Sequence, residues 1–125
     1  MNQVIHTDRA PAAIGPYSQA VRTGNLLFVS GQLPIDPATG AFAGEDIQSQ
    51  TRQSLENVKA ILEAAGYTLD DVVKSTVLLA EIQDFAPMNE VYAQFFTHDC
   101  PARAAFAVKD LPKGAKVEIE VVAGK

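Results

Sequence analysis

The chain has no tryptophan, one cysteine, two histidines and only 7% aromatic residues in 125 positions. With Cys100 as the sole thiol, no disulfide can form within the chain, which fits a reducing compartment. Nothing in the sequence gives Cys100 the positive surroundings that make a thiol reactive. His6 and His98 are far apart, and the run His98-Asp99-Cys100 is consecutive, whereas zinc takes ligands spaced around a tetrahedron. No metal is expected. The apolar run of about 18 residues that crosses a bilayer is missing, and so are a basic-then-apolar leader at Met1–His6 and an arginine-rich transit helix. The expected location is the cytosol, with no membrane partner. Basic residues number 10 against 15 acidic, for a net charge of -5, and they are scattered. Affinity for a phosphate backbone comes from clustered Lys and Arg, so nucleic acid is not an expected partner. The phosphate-binding loop, the dinucleotide glycine motif, the serine-hydrolase elbow and the paired-histidine zinc helix are all absent, which removes the commonest enzyme classes.

Hydrophobic residues make up 47% of the chain, and its length suits one domain, residues 1–125. Val4–His6 reads as a short edge strand, followed by a loop at Ala10–Pro16 broken by two prolines and a glycine. Tyr17–Arg22 and Leu26–Ser30 read as a hairpin turning at Thr23-Gly24-Asn25; Leu26-Leu27-Phe28-Val29 of the second strand is apolar throughout, as expected with both faces covered. Pro34–Gly40 is a turn region. Leu55, Val58, Ile61, Leu62 and Ala65 recur at helical spacing behind Asp46 as N-cap and before Gly66 as C-terminal stop. Val72–Leu79 predicts a central strand. A second helix carries Met88, Val91, Tyr92, Phe95 and Phe96 behind Asp84 as cap, with Pro87 in the first turn. Arg103–Val108 and Lys116–Val122 are the last strands; Val117, Ile119 and Val121 alternate with Glu118 and Glu120. The order βββαβαββ describes an α+β fold, a six-stranded mixed sheet with two helices on one face. Its other face would expose apolar side chains, and a patch above about 600 Å² is unusual on a monomer, so self-association is expected to bury it.

The charge that stands out is Arg103, at the head of an apolar strand, with Glu118 fifteen residues on. A guanidinium fork binds a carboxylate through two parallel hydrogen bonds, so Arg103 suits a small carboxylic acid, and Glu118 could orient a water or move a proton. Spacing alone is equally consistent with a plain Arg103–Glu118 ion pair across the sheet.

The segments Ile14-Gly15-Pro16-Tyr17-Ser18-Gln19-Ala20, Val29-Ser30-Gly31-Gln32-Leu33-Pro34, Gln53–Lys59, Val73–Val77, Pro101-Ala102-Arg103 and Val117-Glu118-Ile119-Glu120 together resemble the RidA family, also called YjgF. The resemblance spans residues 10–123. It implies a chorismate-mutase-like α+β fold, a homotrimer with a cleft at each subunit interface, and enamine/imine deaminase activity that needs no cofactor. By the same resemblance, Arg103 holds the substrate carboxylate and Glu118 positions the attacking water. Tyr17, Ser30, Gly31 and Asn89 line the cleft. At Ala105 some members carry a cysteine whose backbone N–H meets the ligand; alanine keeps the N–H. The segment Thr97–Cys100 is shorter than in some relatives, which would reshape the cleft mouth. The implied substrates are 2-aminoacrylate and 2-iminobutanoate, hydrolysed to 2-oxo acids and ammonia. Other readings compatible with these residues are a 2-oxo-acid sensor without catalysis, a ribonuclease or translation inhibitor, and a holdase using the apolar sheet face. If Glu118 lay close to Arg103, the guanidinium would favour its ionised form.

Overall fold

Gly24-Asn25 forms the tight turn between two antiparallel strands, with Gly24 at φ 58°, a backbone region that costs glycine nothing. The computed structural model covers Met1–Lys125, and from this hairpin the chain builds a single six-stranded sheet. Its strands are β1 (Gln3–Ile5), β2 (Ala20–Thr23), β3 (Leu26–Gln32), β4 (Val72–Leu79), β5 (Ala102–Ala107) and β6 (Val117–Gly124). Helix α1 (Ile47–Ala64) lies between β3 and β4, and α2 (Phe85–Phe95) between β4 and β5. The sheet order is β1-β2-β3-β6-β4-β5; β4 and β5 are parallel and the other neighbours antiparallel. The expected βββαβαββ order and mixed sheet are therefore observed. The last strand in sequence, β6, inserts between β3 and β4, and it takes the middle of the sheet with β3. Val72–Leu79, expected as central, is interior but one place from the β5 edge.

Alternation explains the core. Val117, Ile119, Val121 and Ala123 of β6, with Val77 and Leu79 of β4, point at α1 and α2 and are at most 2% exposed. They meet Leu55, Val58, Ile61 and Leu62 of α1 and Met88 of α2, all fully buried. Each such side chain contributes about 1.5–3 kcal/mol relative to exposure. Asp46 caps α1 as the sequence predicts, accepting from the Ser49 N–H at 2.9 Å, a bond that holds its carboxyl below the usual range. Gly66 follows α1 at φ 84°. Asp84 precedes α2, but its side chain makes no capping bond, contrary to expectation.

Two strand readings need correction. Tyr17, Ser18 and Gln19 lie in the loop before β2, not in the strand, because Gln19 turns inward to satisfy backbone groups of that loop. Strand β3 is interior to the sheet, yet only its helix-facing side is covered: Leu26 and Phe28 are 42% and 47% exposed on the open face, and Phe106 of β5 is 47% exposed.

Candidate functional site

Strand β3 does not stop at Ser30. A register shift between Val29 and Gln32 against β6 marks a β-bulge holding Ser30 and Gly31. The bulge re-aims both residues. The Ser30 N–H donates to the Gln19 carbonyl at 2.9 Å and its hydroxyl to the Ser18 carbonyl at 2.6 Å, which ties the bulge to the loop before β2. Gly31 stands directly against Glu118 of β6: a Cβ at position 31 would sit 2.9 Å from the carboxyl carbon of Glu118. Only a residue without a side chain leaves that carboxylate its place.

Around this contact lies a cavity of about 560 Å³ lined by Pro11, Ile14, Tyr17, Ser30, Gly31, Leu33, Lys113 and Glu118 among others. Glu118 is half-buried and accepts no hydrogen bond from its own chain, and its carboxyl is pushed above the ordinary 4.5 by burial first and by Glu120 second. A carboxyl so placed is suited to hold a water and to exchange a proton with it. The wall at Pro11 is pinned by Gln19, which is 3% exposed. Its Nε2 donates to the carbonyls of Thr7 (3.0 Å), Ala10 (3.4 Å) and Pro11 (2.8 Å), and its Oε1 accepts from the Thr7 N–H at 2.8 Å. Sequence reasoning missed Gln19 as a site residue; a glutamine carries no advance sign that all its polar atoms will turn inward.

Arg103 lies elsewhere. It sits half-buried on the edge strand β5, where Nη1 donates to Asn89 Oδ1 of α2 at 2.6 Å. Its guanidinium carbon lies 4.7 Å from the centroid of the Tyr92 ring and 5.4 Å from that of Phe85. Phe85, Asn89 and Tyr92 share one face of α2 at steps of four and three residues. Arg103 Nε and Nη2 make no hydrogen bond within the chain, so the two-pronged edge of the fork is free for a carboxylate. Ala105 lies two residues along the same strand, on the same face, beside Val77.

Arg103 and Glu118 form no ion pair. Across β4, Arg103 is in register with Ser75, whereas Glu118 is in register with Leu78. Three residues apart on one strand means opposite faces of the sheet. The two groups are also two ladders apart, roughly 10 Å across and about 10 Å along the sheet. The raised pKa of Glu118 agrees, since Arg103 is not among its causes. The chain thus brings Tyr17, Ser30, Gly31 and Glu118 together at one place and Arg103, Asn89 and Ala105 at another. No group of three His, Cys, Asp or Glu stands where it could hold a metal ion; His98 lies 3.4 Å from Asp70, and the Cys100 thiol faces the Phe96 carbonyl.

A mixed sheet backed by two helices, with a bulge-set carboxylate and an arginine held against aromatic rings on opposite faces, defines an α+β protein. Residues 7–125 match the family described as Endoribonuclease L-PSP, and the chain belongs to it, the RidA family. It is 53% identical over 126 residues to the 2-iminobutanoate/2-iminopropanoate deaminase of Salmonella typhimurium, covering 98% of each chain. A RutC family protein of Pyrococcus horikoshii is 58% identical over 125 residues, covering 100% of this chain and 99% of that one. The crystal structure of E. coli TdcF with bound serine superposes with a TM-score of 0.94 at 49% identity, covering 98% of each chain. No helix is long and apolar enough to cross a membrane.

Proposed function

We propose that the protein is an enamine/imine deaminase, hydrolysing 2-aminoacrylate and 2-iminobutanoate to 2-oxo acids and ammonia. In this reading it acts as a homotrimer whose clefts each join Arg103, Asn89 and Ala105 of one copy to Tyr17, Ser30, Gly31 and Glu118 of the next. The carrying observation is Arg103, fixed by Asn89 and two aromatic rings with its two-pronged edge unbonded. The exposed Leu26, Phe28 and Phe106 give the copies an apolar face to bury against one another. The name of the Salmonella relative supports the reaction class, and the serine bound in TdcF supports a small carboxylate as ligand.

The chemistry follows from the two groups. The enamine tautomerises to the imine, and Arg103 holds its carboxylate so that the electrophilic carbon faces the Glu118 side. A water on Glu118 gives up a proton to the carboxylate as its oxygen bonds to that carbon. The proton then passes to the nitrogen to give a carbinolamine; Glu118 takes the proton of the new hydroxyl and delivers it to the same nitrogen, the carbon–nitrogen bond breaks as the carbonyl forms, and ammonia leaves behind a 2-oxo acid. A carboxyl with a raised pKa suits both halves of this exchange, while a second copy's guanidinium nearby would draw that pKa back down. No cofactor enters. The acidic balance gives no support to RNA binding as the main task.

The test is to generate 2-iminobutanoate in situ with a threonine dehydratase and follow its decay. Wild type should outpace buffer, Arg103→Ala should lose about 10- to 100-fold in kcat/KM, the loss of one or two charge-assisted hydrogen bonds, and Arg103→Lys should remain impaired. Decay no faster than buffer with wild type would sink the reading.

A further inference from the structure

The buried hydroxyl pair Tyr92–Ser75 lies beside the carboxylate anchor, and neither the sequence reading nor the proposed mechanism uses it. Ser75 of β4 is fully buried and is the residue in register with Arg103 in the parallel β4/β5 ladder. Its Oγ lies 2.7 Å from the Tyr92 hydroxyl, and this is the only hydrogen bond either side chain makes. The Tyr92 ring spans from that bond to the guanidinium of Arg103, 4.7 Å from its centroid, and also packs on Phe96 at 4.7 Å and 37°. Burial pushes the Tyr92 hydroxyl pKa up, so the group stays neutral.

We infer that Tyr92 and Ser75 are positioning residues for Arg103: their hydroxyl bond fixes the plane of the aromatic ring, and that ring, with Asn89, fixes the plane of the guanidinium. The inference rests on the proposed role of Arg103 as carboxylate anchor. Two observations set this apart from ordinary core packing. A tyrosine in an apolar core gains nothing over phenylalanine unless its hydroxyl is satisfied, and here a serine replaces the apolar side chain that the neighbouring core positions Val77 and Leu79 carry. In addition, a bidentate hydrogen bond tolerates little rotation of the fork, so a cation resting on aromatic faces needs those faces held. Asn89 restrains Nη1 at one point; the Tyr92 ring restrains the plane.

An anchor acts on substrate and transition state alike, so loosening it raises KM and leaves kcat in place. Tyr92→Phe and Ser75→Ala should each raise KM for 2-iminobutanoate roughly fivefold, about the worth of one net hydrogen bond, with kcat little changed. Binding of 2-oxobutanoate, followed by calorimetry, should weaken by a similar factor. Ser75→Thr keeps the hydroxyl and should hold the wild-type KM. The double variant Tyr92→Phe/Ser75→Ala separates orientation from stability, because it leaves no orphaned hydroxyl. Its Tm should recover toward wild type while its KM stays high. If KM follows Tm across the set, or if the single variants keep the wild-type KM, the pair is only structural and the inference is overturned. A wild-type protein that neither speeds imine decay nor binds the oxo acid overturns the deaminase reading itself, and this inference with it.

Discussion

Mixing two impaired variants tests whether the two halves of the site come from different copies. In 2-iminobutanoate the carboxylate and the electrophilic carbon are one bond apart, about 1.5 Å, so anchor and water-holding group must converge on one small molecule. Within a chain they cannot: Arg103 and Glu118 flank β4 at Ser75 and Leu78, on opposite faces of the sheet. In a closed ring of identical copies, each cleft then draws Arg103 from one subunit and Glu118 from its neighbour. Measured as kcat/KM, Arg103→Ala and Glu118→Gln should each keep at most about a tenth of wild-type activity alone. Co-expressed in equal amounts with different tags, they assemble at random, and about one cleft in four, the product of two even chances, carries both native groups. The doubly tagged fraction, isolated by tandem affinity and checked by native mass spectrometry, excludes the uniform oligomers; each mixed trimer holds one such cleft in three and should recover roughly a third of wild-type kcat/KM per subunit. Verified mixed oligomers with no recovered activity would show that both groups act from one chain, and the shared-cleft geometry would be refuted.

Other perturbations probe the same frame. Gly31→Ala places a Cβ against the Glu118 carboxyl, 2.9 Å from its carbon, at an ordinary backbone angle; the flexible glutamate swings away, so kcat should fall about tenfold or more while Tm shifts by only a few degrees. Glu118 titrates above 4.5 in the folded chain, so as pH rises past 4.5 the unfolded chain gives up its proton first and stability falls until the folded value is passed. The Tm of Glu118→Gln relative to wild type should therefore rise between about pH 4 and about pH 7, and an unchanged difference would remove the burial argument. Phe28→Asp puts a charge on the open face between Val21 and Val122, so light scattering should report a monomer, with far-UV circular dichroism retained and imine hydrolysis lost.

Much of this fold was legible because its signals are local. The stripe Leu55, Val58, Ile61, Leu62 announces α1, and the alternation Val117–Val121 announces β6 with its inward and outward faces. The site was legible only as residue types. The sequence singles out Arg103 and Glu118, but their separation depends on β6 inserting between β3 and β4, a long-range pairing that no local pattern encodes. In sequence the bulge at Ser30–Gly31 reads as the end of a strand, since a bulge and a strand end look alike until the partner strand is known. Tyr92 reads as a core aromatic, and only the approach of β5 to α2 makes its ring, with that of Phe85, a face for a cation. Asp84 had the composition of a cap without its geometry.

The hold that Gln19 keeps on the segment Thr7–Pro11 is made entirely to main-chain atoms: three carbonyls and one N–H. The clamp therefore does not depend on which side chains that segment carries. The side chain at position 11, which lines the cavity, can change in size or polarity while the main-chain trace there stays held. Shape and lining chemistry are thereby uncoupled at this wall. A lineage could re-cut the lining of this cavity wall without first having to reinvent the loop.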